Sequence, residues 1–188
     1  MADMTCRFIL ATALLAATVQ SVRAQEVLLF GKFHLGGKAW FSKVCPRSSA
    51  ETSVKDVCWL GELPRNYSGQ RAGTILVPKE DLPAWAEFSS FELWFQGEAL
   101  QRVKLTVHAQ DQMKIVSSIS ERFGKPIEVS LSDYSARWVT WERPDVSVKY
   151  VCGGDSCSVY FISAEMRTRQ AEDLAVRNRR DVARPRTP

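Results

Sequence analysis

The residues with the richest chemical possibilities stand together in one stretch, Tyr150-Val151-Cys152-Gly153-Gly154-Asp155-Ser156-Cys157-Ser158-Val159-Tyr160. Its C-x-G-D-S core matches the nucleophile loop of a chymotrypsin-like serine protease. That chemistry needs a histidine base, a buried aspartate and small glycines after the serine, whose N–H groups help form the oxyanion hole. Here Ser156 is followed by Cys157-Ser158-Val159, and the two histidines, His34 in "FHLGG" and His108 in "TVHAQ", sit in no base motif. A redox reading of the same cysteines fares no better. Exchange-active pairs sit close together at a helix start, where the dipole lowers a thiol pKa. These two have four residues between them and are flanked by strand-like sequence. Zinc would need more cysteines or histidines at ligand spacing, and there is no C-x-x-C. No paired carboxylates, phosphate loop or other nucleophile motif stands out. No catalytic residue, metal site or cofactor is therefore assigned from the sequence.

A structural role satisfies the same residues better. If Cys152 bonds Cys157 across a hairpin, Tyr150 faces Val159 and Val148 faces Phe161 on the disulfide's side of the sheet. Val151 then meets Ser158, and Lys149 meets Tyr160, on the other side. One face becomes uniformly apolar and the other mixed, as a half-buried antiparallel pair requires. A one-residue slip would scatter that face. Gly153-Gly154-Asp155-Ser156 supplies turn chemistry.

Disulfides imply an oxidising compartment, and the N-terminus agrees. Residues 1–24 carry Arg7, an apolar run of about a dozen residues and a small-residue end at Val22-Arg23-Ala24. The run is too short to span a hydrocarbon core of about 30 Å and reads as a signal peptide. The mature chain is expected to begin at Gln25, to be periplasmic or secreted, and to have no transmembrane span. Of the five cysteines only Cys6 lies in the leader, leaving Cys45, Cys58, Cys152 and Cys157. The sequential pairing, Cys45 with Cys58 and Cys152 with Cys157, keeps both links local. The formal charge is +4, and removing Arg7, Arg23 and Asp3 leaves +3. Seven arginines lie beyond Ala164, so the folded part is nearly neutral, which argues against nucleic acid as partner.

The remaining length suits one domain, 25–163, followed by an Arg-rich helix or tail, 164–188. A strand is expected over Val27 to Leu35. Residues Lys38 to Cys45 can be a short helix stopped by Pro46 or the return strand of a Gly-Gly hairpin. "GELPRNYSGQRAG" is turn-rich and reads as loop, with a glycosylation sequon at Asn66-Tyr67-Ser68. "TILVP" is a short strand. "FSSFELWFQGEALQRVKLTVHA" alternates as a hairpin, and Leu100 is out of parity with Val103, which predicts a bulge between them. "DQMKIVSSISERFGKP" is the clearest helix, with Asp111 at the N-cap, a stripe through Ile115, Val116, Ile119 and Phe123, and Gly124 beyond the end. Three strands follow in "IEVSLS", "ARWVTWER" and "VSVKYVC", and "CSVYFIS" closes the domain. The segment from Ala164 is helix-prone to about Asp181 but has no clean apolar face.

Candidate binding residues are aromatic and cationic. Trp94 shares its strand face with Glu92, opposite Phe91, Leu93 and Phe95, so it can anchor a ligand on the far side of the sheet. Trp138 and Trp141 are three apart and must point to opposite faces of a strand, one to the core. Arg177, Arg179 and Arg180 in the tail are candidates for contact with an anionic surface.

"FHLGGKAWFSKVC" resembles the opening of small exported modules of the β-lactamase inhibitor protein kind and of small outer-membrane assembly lipoproteins. "ELWFQGEALQRVKL" is similar to their strand-turn-strand segment, and "ISERFGKP" before a Trp-containing strand is similar to periplasmic proteins of Gram-negative bacteria. The resemblance implies a helix over Lys38 to Cys45 and an α+β fold: an antiparallel sheet with one or two helices packed on one face, the other face free to bind. The leading expectation is a non-enzymatic binding or envelope-associated protein that uses this open face, with Trp94 or Trp138/Trp141, and the disulfide-closed turn, an inhibitor or immunity-type protein that binds another exported protein being one form of it. A periplasmic hydrolase with a diffuse site is the competing expectation.

Overall fold

The structure, a computed structural model, describes residues 27–38, 41–46, 54–86, 90–130, 137–154 and 156–183, with side chains to residue 179. The expected signal peptide and the last five residues lie outside the described range. The fold is α+β. A small hairpin, β1 (Val27–Phe30) and β2 (Phe33–Leu35), forms a two-stranded sheet of its own beside an eight-stranded antiparallel sheet. That sheet consists of β3 (Cys58–Trp59), β4 (Gln70–Leu76), β5 (Ser90–Gln96), β6 (Ala99–His108), β7 (Glu128–Ser130), β8 (Arg137–Glu142), β9 (Val146–Gly153) and β10 (Ser156–Ser163). Helix α1 (Gln112–Phe123) joins β6 to β7, and α2 (Ala164–Ala183) leaves the end of β10.

The strand order is β3-β4-β5-β6-β10-β9-β8-β7. Two four-stranded meanders therefore meet along their last strands, β6 and β10. The strands beside the seam bury alternate residues over most of their length. On β5, Phe91, Leu93 and Phe95 are buried between partly exposed neighbours, and on β9 Tyr150 and Cys152 are buried beside exposed Lys149, Val151 and Gly153. Alternating apolar residues thus all face one side. The β1–β2 hairpin and α1 cover that side. Phe30 and Phe33 sit with their ring centroids 5.2 and 5.9 Å from Phe91, and Phe123 of α1 sits 5.9 Å from Phe161 of β10. The Arg122 guanidinium donates to the carbonyls of Leu28 and Leu29, tying the hairpin to α1.

Both expected disulfides are present, Cys45–Cys58 and Cys152–Cys157. The hairpin register is the expected one, with Tyr150 opposite Val159, Val148 opposite Phe161 and Lys149 opposite Tyr160. α1 buries Ile115, Ile119 and Phe123 as its stripe requires, and Gly124 follows at φ 87°. Asp111 holds the N-cap position without a side-chain capping bond, because a single 3-10 turn, Ala109–Asp111, leads into the helix. The bulge is also present. Trp94 pairs with Arg102 and Phe95 with Leu100, so Gln101 is the extra residue.

Three local expectations are corrected. Val27 to Leu35 is two strands rather than one, because Gly31 at φ 50° turns the chain back. The helix expected over Lys38 to Cys45 does not form in its described part. Lys38 pairs with Ala99, Gly36 N–H donates to Leu100 O, and Leu100 N–H donates to Gly37 O. Docking against the start of β6 satisfies backbone groups that a short isolated helix would leave open. The turn-rich stretch ends earlier than expected, since β4 begins at Gln70. Gly73 is needed there, because a Cβ would lie 3.0 Å from Pro64 Cγ and 3.1 Å from Trp59 Cζ3.

Tyr150 is buried and donates from its hydroxyl to Cys157 Sγ at 3.3 Å. Burial pushes its phenol above the ordinary range; Arg137 opposes this and Asp111 adds to it. The folded state therefore prefers the neutral phenol. That stability is present below about pH 10 and is lost as pH rises through the folded pKa. Urea titrations should show Tyr150→Phe losing less stability than wild type between about pH 9 and pH 11. Equal losses would show that Tyr150 does not carry the alkaline limb. Removing the second disulfide as Cys152→Ser/Cys157→Ser should cost about 2 kcal/mol in the same assay, with the fold retained.

Candidate functional site

The opposite face of the sheet carries the polar halves of the same strands. Trp94 lies there, directly across from Arg102, whose guanidinium carbon is 3.5 Å from the ring centroid. Planar stacking of this kind is favourable and strengthens when water is excluded. Burial pulls the Arg102 pKa below its usual value, and Tyr160 and Glu92 offset part of the effect. The next row along the face runs Glu92, Lys104, Tyr160, Lys149 and Thr140, each opposite the next. Glu92 and Lys104 form an ion pair within it.

The face is not flat at the Trp94 end, because α2 stands over it. Ser163 is the N-cap of α2: its Oγ accepts from Met166 N–H at 3.1 Å. The same hydroxyl donates to Gln101 Oε1, while Gln101 Nε2 donates to Glu165 at 2.9 Å. The bulge residue thus ties β6 to the first turn of the helix, and both Gln101 and Ser163 are buried. On the other side Arg167 donates to Glu142 and to the carbonyls of Arg143 and Pro144. The first turns of α2 are held at two points, and the helix beyond them is exposed.

Between the helix and the sheet end lies a groove of about 330 Å³. Trp94 and Ala72 form its sheet wall, Met166, Arg169 and Asp173 its helix wall, and Arg65 and Tyr67 its rim. Tyr67 is 83% exposed. It sits in a tight turn in which Asn66 Oδ1 accepts from Gly69 N–H at 3.0 Å and Ser68 adopts φ 52°.

The candidate residues therefore separate. Trp94 is at the groove. Trp138 shares the open face but belongs to a different row, opposite Val151, four strands from Trp94. At about 4.8 Å per strand that is roughly 19 Å across the sheet, so the two do not form one patch. Trp141 is corrected to a core residue. It has the parity of Val139, pairs with Val148, is fully buried and donates from Nε1 to Ser120 Oγ of α1 at 3.1 Å. Arg177 and Arg179 are exposed on α2 beyond the groove, and the Arg180 side chain lies outside the described residues. Neither His34 nor His108 lines the groove. Among the described residues no group of His, Cys, Asp and Glu is placed to hold a metal ion. No helix there is long and apolar enough to cross a membrane.

Arg71 also lines the groove, and it, Arg65 and Tyr67 went unmarked in the sequence because turn-rich composition reads only as loop. Gln101 was missed as a latch, although the parity break at Leu100 already marked the position. Loss of the latch should be visible without loss of the fold. Ser163→Ala should cost about 1 kcal/mol through the N-cap. It should also accelerate amide exchange across α2 while β5, β6 and β10 stay protected. Unchanged exchange in α2 would show that the cap does not hold the helix.

No family model, curated protein or solved structure matches this chain.

Proposed function

We propose that this chain is an exported, non-enzymatic binding protein of the periplasm or cell envelope, of inhibitor or immunity type, whose partner is another exported protein. One observation carries the reading: a groove on the open sheet face, with an aromatic floor and a polar rim, held in shape by the latched base of α2. Buried aromatic anchors inside a polar rim are how protein-binding sites concentrate their affinity. The described residues lining the groove include one carboxylate, Asp173, and no serine, cysteine or histidine. That composition suits recognition better than nucleophilic or general acid–base chemistry. Two disulfides accord with the exported setting.

A photocrosslinking amino acid placed at Tyr67, in protein expressed with its own leader in a Gram-negative host, should trap an exported or envelope protein. The same group at Met113, exposed on α1, should not. Trp94→Ala should weaken capture about tenfold or more, with an unchanged far-ultraviolet spectrum. Equal crosslinking from Tyr67 and Met113, or hydrolytic activity abolished by Trp94→Ala, would overturn the reading.

A further inference from the structure

The groove's lining also bears on what it would hold. Its charged groups are Arg65, Arg71 and Arg169 against Asp173, an excess of two positive charges inside one concavity. The mature chain as a whole is expected to carry only +3 over its full length, so the lining itself is more cationic than the chain average, with Glu62 and Glu165 beside it as neighbours of Arg65 and Arg169. Two of the three arginines have acidic neighbours at the surface. Arg65 is 3.9 Å from Glu62, and Arg169 donates to Glu165 one helical turn back at 2.6 Å, in each case with both side chains substantially exposed. Exposed pairs of this kind are held weakly. An incoming carboxylate can compete for such arginines and accept two parallel N–H bonds from a guanidinium.

The rest of the lining constrains what carries that carboxylate. Trp94 and Met166 offer apolar surface to a side-chain stem, and Tyr67 stands at the rim. Gln70, Gln96 and Gln170 line the same space, and each amide can both donate to and accept from a peptide backbone. The volume lies at the low end of the roughly 300–1,000 Å³ usual for ligand pockets, which suits a few residues of extended chain. A planar lipid surface fits less well, because the cations line a concavity walled by α2 and rimmed by Tyr67 rather than a convex face.

We infer that the groove between Trp94 and α2 binds an acidic, extended peptide segment of the partner, with Arg65, Arg71 and Arg169 receiving its carboxylates. This rests on the binding reading above and names the chemistry of its ligand.

The test uses the full mature protein and three fluorescein-labelled peptides of a dozen residues, alternating glycine or serine with glutamate, glutamine or lysine. Fluorescence polarisation should show the glutamate peptide binding about tenfold or more tightly than the glutamine peptide, with affinity falling as salt rises. The lysine peptide should not bind. Arg65→Gln/Arg71→Gln and Arg169→Gln should each weaken the glutamate peptide at least about threefold, whereas Lys125→Gln, away from the groove, should not. Folding of each variant is checked by circular dichroism. Equal affinity for glutamate and glutamine peptides overturns the inference, as does glutamate-peptide binding indifferent to the arginine substitutions. Binding that free glutamate matches at equal carboxylate concentration also overturns it. So does retention on phosphatidylglycerol vesicles, without peptide binding, that the arginine substitutions abolish. Crosslinking from Tyr67 that persists while the glutamate peptide fails to bind would leave the binding reading standing and remove only the acidic-segment assignment.

Discussion

The fold depends on β10 keeping its register between β6 and β9. Val159 must face Leu105 on one side and Tyr150 on the other, and Phe161 must face Val103 and Val148. Because side chains alternate strictly along a strand, a slip of one residue would carry Cys157, Val159 and Phe161 from the core to solvent. The Cys152–Cys157 bond pins the hairpin at its tip, where a two-stranded unit is otherwise free to slide. At the seam this single strand joins two meanders that have no other extended contact, so its register sets the core face of both. The cluster of Phe30, Phe33, Phe91, Phe123 and Phe161 then packs against a surface whose composition was already decided.

Committing one face to the core leaves the other with a definite chemistry. The same strands place Glu92, Trp94, Arg102, Lys104 and Tyr160 outward, and cross-strand pairing stacks Arg102 on Trp94 and sets Glu92 beside Lys104. A face of this kind would be shallow by itself. The bulge at Gln101 changes that, because the additional residue departs from the strict alternation and its amide meets Glu165 and Ser163. One irregularity in β6 thus converts the end of a sheet face into a walled groove. Bulges near sites that re-aim a side chain in this manner are a known use of the feature.

Much of this was legible in the chain. Cysteine parity and the alternation around Tyr150 and Val159 identified the disulfides and the register, and the stripe of Ile115, Ile119 and Phe123 with Gly124 identified α1. The parity break after Leu100 located the bulge. What escaped was long-range. Gly36 to Lys38 docks against Ala99 and Leu100, which need partners, and no local signal in "LGGKAW" reports that need. Trp141 and Trp138 have equal standing in sequence, and only α1 lying over one of them separates core from surface.

The sequence by itself determined the period of each strand, the pairing of its cysteines and the division of residues between two faces, because these follow from the two-residue repeat and short chain separations. Only the tertiary structure decided that the Arg65–Tyr67 turn, the Trp94 face and the base of α2 converge. Those three segments are separated by up to about a hundred residues. The base of α2 meets the sheet through a buried amide and a helix cap whose partners are set by how β6 and β10 lie side by side, and the turn is carried there by the pairing of β4 with β5.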